Sequence, residues 1–317
     1  MRVLITGSSG QIGTNLALTL LSEGHFVFGI DTRENTWTDE VHTLLQDLSM
    51  PYRNFEGGIG QANYPADIDV VVHLAAHAKV NELVDQPDRA LENITMTFNV
   101  LEYCRCNELP IIFSSSREVY GDIHRYITEE SHADFAFTES PYSASKISGE
   151  ALVYSYAQCY GLPYLIFRFS NVYGRYDNDI ERMERVIPLF IQKISKGEPV
   201  TVFGENKTLD FTYVDDCVDG ICRGIDLLVN GNDKNHTINL AYGKGESLVT
   251  MANYVGEVLG TTPDITIEAS RLGEVTHYVA NIGKARSLLG YDPATYLREG
   301  IEKSIAWATA WESEERM

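Results

Sequence analysis

Three glycines near the start of the chain place the strongest constraint on its fold. Gly7, Gly10 and Gly13 lie between an apolar run at residues 3–6 and a stretch, residues 12–21, whose apolar side chains recur at helical spacing. In a strand, turn and helix of this kind, the first glycine permits the sharp turn, the second lets the backbone approach a diphosphate, and the third lets the helix pack closely on the strand. The helix N-terminus adds amide donors for the phosphates. The segment is therefore predicted to open a dinucleotide-binding α/β fold.

The next predicted strand ends in an acidic residue. Residues 26–30 form a second apolar run, and Asp31 follows eighteen residues after Gly13. A carboxylate at this place accepts hydrogen bonds from the adenosine ribose and repels an added 2′-phosphate, which favours NAD over NADP. Arg33, two residues later, suits a 2′-phosphate and keeps NADP open as the alternative.

Apolar runs and helical stretches alternate as far as residue 170. Residues 70–72, 111–113 and 164–167 are typical of buried parallel strands, and residues 89–107 and 142–160 have the pattern of long helices. The pattern predicts an α/β protein with a Rossmann-like, doubly wound parallel sheet. The alternation changes after Arg168, which predicts a smaller, interleaved α+β C-terminal lobe that binds the substrate. The expected division is an NAD-binding domain at 1–170, with a return from about 209–243, and a substrate lobe at 171–317.

A second group of residues is suited to acid–base chemistry. Tyr142 and Lys146 are four residues apart on a predicted helix and so share one face. Ser116 follows the strand at 111–113, at the carboxyl edge where α/β sheets bind ligands. A lysine charge beside the phenol, reinforced by a positively charged nicotinamide, would lower the tyrosine pKa from about 10 and make Tyr142 a usable base for a sugar hydroxyl.

Charge and composition argue against several classes of partner. The chain has 25 basic and 45 acidic side chains, and its net charge of −20 would repel a nucleic-acid backbone. No apolar run is long enough to cross a membrane, and residues 3–5 are too few for a secretory signal. The five cysteines form no CxxC pair and have no matching histidine spacing. We therefore expect no metal site, and reduced thiols in the cytoplasm.

Several longer motifs together resemble one family. They are His73-Leu74-Ala75-Ala76, Arg168-Phe169-Ser170-Asn171-Val172-Tyr173-Gly174, Asp210-Phe211-Thr212-Tyr213-Val214-Asp215-Asp216, Arg271-Leu272-Gly273-Glu274 and Leu289-Gly290-Tyr291-x-Pro293. With the glycine turn and the Tyr142-x-x-x-Lys146 motif, they extend the resemblance almost from end to end. The chain resembles the extended short-chain dehydrogenases/reductases of the NAD-dependent epimerase/dehydratase family, nucleotide-sugar enzymes, and within them the UDP-sugar 4-epimerases.

This resemblance implies a role for individual residues. Ser116, Tyr142 and Lys146 would be catalytic, and Lys146 would also hold the nicotinamide ribose. The residues that would bind NAD are Gly7, Gly10, Gln11, Ile12, Gly13, Asp31, Leu74, Ala75, Ala76, Asn93, Ser114, Tyr142 and Lys146. Those that would hold the nucleotide sugar are Ser116, Glu118, Asn171, Val186, Phe203, Arg271 and Glu274, with Phe203 against the base and Arg271 on a phosphate. The family also implies a homodimer through the two long helices.

Three departures from the family pattern bear on the reaction. Leu209 stands where an arginine usually contacts phosphate, and Gly58 stands where an aspartate usually lies near the adenine. Arg117-Glu118 replaces the Asp-Glu pair of the nucleotide-sugar 4,6-dehydratases, whereas Glu118 is compatible with a UDP-glucuronate decarboxylase.

The leading prediction is an NAD-dependent UDP-sugar 4-epimerase that acts through a transient 4-keto sugar, with Tyr142 as the base. Its substrates would be UDP-glucose and UDP-galactose, or UDP-glucuronate. UDP-glucuronate decarboxylase and nucleotide-sugar dehydratase are the alternative enzymes, because they share the first oxidation. An NAD-binding regulator without activity is the alternative from another class, since fold alone does not exclude it.

Overall fold

The computed structural model describes residues 1–50, 67–121, 129–130, 135, 138–177, 183–231, 233–271 and 275–314. The strands in these ranges are β1 (Arg2–Thr6), β2 (Phe26–Asp31), β3 (Thr43–Leu45), β4 (Val70–His73), β5 (Ile111–Ser116), β6 (Tyr164–Phe169), β7 (Asn171–Tyr173), β8 (Val200–Phe203), β9 (Thr208–Tyr213), β10 (His236–Leu240), β11 (Gly245–Ser247), β12 (Ile265–Glu268) and β13 (His277–Tyr278). The helices are α1 (Gln11–Ser22), α2 (Val80–Asp85), α3 (Asp88–Asn107), α4 (Pro141–Tyr160), α5 (Val186–Ser195), α6 (Val214–Asn230), α7 (Leu248–Leu259), α8 (Gly283–Leu289) and α9 (Leu297–Glu314).

The large sheet confirms the predicted fold class. It has seven strands in the order β10-β6-β5-β4-β1-β2-β3, and every neighbouring pair is parallel. The chain runs outward from β1 through β2 and β3 and then returns to the other side of β1 at β4. The direction therefore reverses between β1 and β4, whose last residues, Thr6 and His73, are in register. In doubly wound sheets, ligands bind beyond the carboxyl ends of the strands at such a reversal.

Alternation along β1 explains why the sheet is covered on both faces. Val3 and Ile5 belong to one hydrophobic cluster, together with Leu16 of α1. Leu4, between them, belongs to a second cluster with Val100 of α3. Successive side chains of a strand point to opposite faces, so an unbroken apolar run needs a helix layer on each side.

The helix that carries Tyr142 begins and ends at local sequence signals. Ser140 caps the first turn of α4, because its hydroxyl accepts a hydrogen bond from the Ser143 amide while the Ser143 hydroxyl accepts one from the Ser140 amide. Pro141 occupies the first helical position, and Gly161 ends the helix in the left-handed conformation.

A buried ion pair fixes α4 against the sheet. Arg168 of β6 and Glu150 of α4 form two parallel hydrogen bonds of 2.8 and 2.7 Å, and both side chains are almost fully buried. The Ser115 hydroxyl donates a further hydrogen bond of 2.5 Å to the same carboxylate. The Arg168 guanidinium also stacks on the Tyr120 ring at 4.6 Å. These contacts hold the helix in register with the strand that ends at Ser116.

The C-terminal part of the chain interleaves with the large sheet. Strand β10 pairs with β6 in that sheet, and α6 packs against α1, whereas β7, β9, β11 and β13 form a second sheet and β8 pairs with β12. Asp210 of β9 links several of these segments. Its buried carboxylate accepts hydrogen bonds from the amides of Tyr242, Gly243 and Ala280. Burial raises the pKa of Asp210 to about 7, although the three amides act in the opposite direction.

None of the helices in the described ranges is long and apolar enough to cross a membrane.

Candidate active site

A cleft of about 810 Å³ lies at the reversal of the sheet. Its walls come from the carboxyl ends of β1, β2, β4 and β5, from the start of α4, and from the segment between β7 and α5. The predicted residues that line it are Gly7, Gly10, Gln11, Ile12, Gly13, Asp31, Leu74, Ala75, Ala76, Ser114, Ser116, Glu118, Tyr142, Lys146, Asn171 and Val186. The structure thus brings most of the predicted site together.

The glycine turn allows a close approach of backbone to backbone. Gly7 has a φ of 75°, and a Cβ atom on it would lie 2.8 Å from the amide nitrogen of Ala75. A Cβ on Gly13 would overlap the carbonyl oxygen of Gly7. Gly10 immediately precedes α1, so the first amides of this helix lie at the cleft. The turn is therefore a cradle that side chains would fill, and it is suited to a diphosphate.

Asp31 is held in place by its own surroundings. Its carboxylate accepts hydrogen bonds from the amides of Ser9 at 3.0 Å, Thr32 at 2.8 Å and Arg33 at 3.3 Å. The Arg33 guanidinium instead donates to the carbonyl oxygen of Ser9 at 2.6 Å. The carboxylate is thus fixed at the end of β2, while the neighbouring cation is bound to the glycine turn.

Ser116, Tyr142 and Lys146 meet where β5 and α4 adjoin. The Lys146 ammonium donates to the carbonyl oxygen of Ser114 at 2.8 Å and lies 5.8 Å from the centre of the Tyr142 ring. The Ser116 hydroxyl is close enough to the Tyr142 phenol to lower its pKa. The spacing of four residues places Tyr142 and Lys146 on one face of α4, and the packing of α4 on β5 brings Ser116 to them.

Burial dominates the acid–base properties of this group. It raises the pKa of Tyr142 to about 12, and the charge of Glu118 acts in the same direction. The Ser116 hydroxyl and two nearby guanidinium groups act in the opposite direction. Burial also lowers the pKa of Lys146 to about 8. The protein groups alone thus keep the phenol protonated at neutral pH, and the predicted decrease in its pKa requires a further positive charge.

Asn93 lies behind the cleft wall rather than on it. Its carboxamide oxygen accepts from the His77 amide at 2.8 Å, and its nitrogen donates to the His77 carbonyl and the Ser145 hydroxyl, each at 3.1 Å. Asn93 therefore supports the segment after β4, which lines the cleft, and joins it to α4.

The residues predicted for the nucleotide end of the substrate are placed differently. The Arg271 guanidinium lies over the Phe203 ring at 3.9 Å, and neither residue is among those that line the cleft in the described ranges. Leu209 is buried in β9. Glu274 and Gly58 lie outside the described residues.

Several polar residues of the cleft are not in the set of residues predicted to bind NAD or the nucleotide sugar. Asp47 follows β3 and lines the cleft, as does Arg185, which pairs with Asp177 at 2.9 Å and with the Gln11 carboxamide. Lys79 pairs with Glu184 at 2.7 Å. For Asp47 the sequence does carry a signal, because Leu44 and Leu45 followed by the polar pair Gln46-Asp47 are typical of the end of a strand. No local signal points to the contact of Arg185 with Gln11, which are 174 residues apart.

Comparison with known proteins agrees with this geometry. The model of the NAD dependent epimerase/dehydratase family matches residues 3–241. A protein named UDP-glucuronate 4-epimerase 1, from Arabidopsis thaliana, is 30% identical, and the match covers 96% of this chain and 76% of the relative.

Two solved structures are similar over nearly their whole length. The UDP-glucose 4-epimerase of Thermotoga maritima, solved with UDP-glucose, has a TM-score of 0.85 at 26% identity, and the match covers 98% of this chain and 100% of the other. The UDP-glucuronic acid 4-epimerase of Bacillus cereus, solved with UDP-glucuronic acid and NAD, has a TM-score of 0.82 at 27% identity with the same coverage. Because the family model spans most of the chain, this protein belongs to the NAD dependent epimerase/dehydratase family.

Proposed function

We propose that the protein is an NAD-dependent UDP-sugar 4-epimerase, acting on the UDP-glucose/UDP-galactose pair or on UDP-glucuronate. The observation that carries this proposal is the meeting of Ser116, Tyr142 and Lys146 in one cleft with the glycine turn. The names of the similar proteins, which include epimerases of UDP-glucose and of UDP-glucuronic acid, support the same substrate class.

The cofactor is NAD, and the residues present fit it. The turn at Gly7, Gly10 and Gly13 leaves a backbone surface for the diphosphate. Asp31 would bind the ribose hydroxyls, and Asp47, which also lines the cleft, would supply the carboxylate near the adenine that the family pattern places at Gly58. When bound, NAD supplies the acceptor for a hydride from C4 of the sugar and returns that hydride later in the cycle.

In this mechanism, Tyr142 is the base for the 4-hydroxyl. Ser116 lies close enough to lower the pKa of this phenol, so its hydroxyl would assist the proton transfer. The Lys146 charge and a positively charged nicotinamide together favour the phenolate, against the effect of burial. The same phenol returns the proton after the 4-keto sugar has turned its other face.

Decarboxylation of UDP-glucuronate and dehydration are the alternative reactions. Glu118 favours them, because it is a carboxylate in the cleft two residues from Ser116. Incubation with UDP-glucose, UDP-galactose and UDP-glucuronate, followed by mass-resolved chromatography, separates these outcomes. A product of unchanged mass and altered retention supports epimerisation, whereas loss of carbon dioxide or water would replace it by an alternative reaction.

Substitution at Tyr142 separates an enzyme from a regulator that only binds NAD. Tyr142→Phe removes the proton acceptor, so turnover should fall by about 10²- to 10⁴-fold while NAD binding persists. Tyr154→Phe is a matched control on the same helix, because its hydroxyl bonds Thr237 outside the cleft. Unchanged turnover in Tyr142→Phe would contradict the proposed mechanism, and absence of turnover in the unsubstituted protein with all three sugars would favour the regulator.

We also propose a homodimer formed through α3 and α4. Leu91 and Phe98 are seven residues apart on α3 and are 66% and 38% exposed, so they form an apolar stripe on one face of this helix. A second copy of the chain would cover it. A cytoplasmic location belongs to the same proposal, since the five cysteines are free thiols.

A further inference from the structure

Arg117 and Glu118 form an ion pair directly after β5, the strand that ends at Ser116. They begin the short turn Arg117–Tyr120, and the Arg117 Nη2 atom lies 3.0 Å from the Glu118 Oε1 atom. Their side chains are only 12% and 4% exposed, and both residues line the cleft. A buried pair of this kind is retained at a desolvation cost, which calls for a reason beyond stability.

Glu118 is close to the atoms that react. Its amide donates to the Ser116 hydroxyl oxygen at 3.2 Å. Its charge also acts on Tyr142, because it raises the pKa of that phenol. In the proposed reaction Ser116 and Tyr142 act on the 4-hydroxyl of the sugar, so a carboxylate so placed would lie near C5, the next carbon.

A carboxylate base at this position is a hazard for an epimerase. In the 4-keto sugar, the hydrogen on C5 is acidic because it is adjacent to the carbonyl group. If Glu118 removed it, the proton would pass to the carboxylate and the electrons of the C5–H bond would form the enolate of the C4 ketone. That enolate is the entry to elimination at C6 or to loss of configuration at C5, and not to epimerisation at C4.

We propose that Arg117 is a positioning residue that confines the reaction to C4 by holding Glu118 as an ion-paired carboxylate that does not accept the C5 proton. The inference rests on the 4-keto sugar of the proposed function. An adjacent guanidinium stabilises the ionised carboxylate and so weakens it as a base. The pair also has no net charge, which limits the unfavourable effect of Glu118 on the Tyr142 phenolate.

Solvent deuterium provides the test. The protein is incubated in D₂O with NAD and whichever of UDP-glucose, UDP-galactose or UDP-glucuronate it converts, and the recovered sugars are examined for deuterium on C5 by NMR and mass. The measured quantity is the amount of deuterium on C5 per molecule of sugar epimerised. This ratio does not depend on the rate of epimerisation, so a slow variant can be compared directly with the unsubstituted protein. For the unsubstituted protein we expect no deuterium on C5 after many turnovers.

Three variants identify the group responsible. Arg117→Ser should raise C5 deuterium per turnover by at least about tenfold, because Glu118 is no longer paired. The double variant Arg117→Ser/Glu118→Gln should return to the unsubstituted level, since the amide is not a base. Arg117→Lys keeps a cation beside Glu118 and should resemble the unsubstituted protein.

The outcomes are distinguishable from failure of the proposed function. Deuterium on C5 from the unsubstituted protein, or an unchanged ratio in Arg117→Ser, would overturn the role of Arg117 while epimerase activity stands. If Arg117→Ser fails to fold, Arg117→Gln, which also lacks the positive charge but keeps most of the side chain, is tested in its place against the same expected increase. Absence of any converted UDP-sugar would overturn the proposed function, and this inference with it.

Discussion

Replacing Lys146 by Met tests how the fold holds a charge at the centre of the site. The Lys146 side chain is 5% exposed, and burial lowers its pKa from 10.5 to about 8, while the charge of Glu150 acts in the opposite direction. Below pH 8 the lysine is charged in both the folded and the unfolded chain. The difference between the two pKa values then lowers the free energy of unfolding by about 3 kcal/mol, at about 1.36 kcal/mol for each pH unit.

The sign of the pH dependence follows from proton binding. Between pH 8 and 10.5 the unfolded lysine still binds a proton that the folded lysine has lost, so the stability contributed by this group rises with pH. Met at this position has no such dependence. The free energy of unfolding of Lys146→Met, minus that of the unsubstituted protein, should therefore decrease by about 2 kcal/mol between pH 7 and pH 9.5.

The slope with pH is the decisive quantity, because Met also removes a hydrogen bond. Loss of the hydrogen bond from Lys146 to the Ser114 carbonyl costs about 1–3 kcal/mol of stability. This cost opposes the stability gained at pH 7 by removing the buried charge, but it does not change with pH as the lysine titrates. Urea unfolding of both proteins at pH 7 and pH 9.5 measures the change in their difference in free energy of unfolding. Equal m-values for the two proteins would show that the change is one of stability. Catalytic activity should be lost in the same variant.

Lys284→Met is the matched control. Lys284 also donates to a strand carbonyl, that of Thr237 at 2.7 Å, but its side chain is only partly buried. The change in the stability difference between pH 7 and pH 9.5 should be larger for Lys146→Met than for Lys284→Met, because Lys146 is buried and Lys284 is only partly buried. The reasoning would be refuted if the difference in free energy of unfolding between Lys146→Met and the unsubstituted protein stayed constant within about 0.5 kcal/mol from pH 7 to pH 9.5. Burial of the Lys146 charge would then not lower the stability of the protein.

Three further variants test other parts of the structure. Gly13→Ala places a Cβ against the Gly7 carbonyl oxygen, which costs about 1–3 kcal/mol through overpacking of the glycine turn. If this cost falls on NAD binding, the affinity measured by fluorescence titration should decrease by about 5- to 150-fold. Glu150→Gln leaves its buried guanidinium partner without a compensating charge and should cost about 3–5 kcal/mol of stability, or about 4–8 °C in melting temperature; an unchanged melting temperature would contradict this. Leu91→Lys should halve the mass measured by light scattering, whereas Ile267→Lys, an exposed apolar control away from α3, should leave it unchanged.

Much of the fold was predictable because its signals are local. The glycine turn at Gly7 depends on a positive φ, and the limits of α4 depend on the Ser140 cap and on Gly161. Continuous apolar runs identified the buried strands, since a strand covered on both faces has no polar alternation. The pairing of Tyr142 with Lys146 needed only the helical repeat, and Ser116 needed only the end of a strand.

The remaining features depend on how distant segments pack. Asp47 reaches the cleft because β3 pairs with β2 and brings residues 46–49 there, whereas the family pattern places the corresponding aspartate at Gly58. Arg185 meets Gln11 across 174 residues only because the C-terminal part folds back over the sheet. Local patterns encode backbone angle and periodicity, and so they determine the sheet, the glycine turn and the placement of Tyr142 beside Lys146. The pairing of Arg117 with Glu118 in the cleft was decided by the tertiary structure, since only burial there makes each of these charges require a partner.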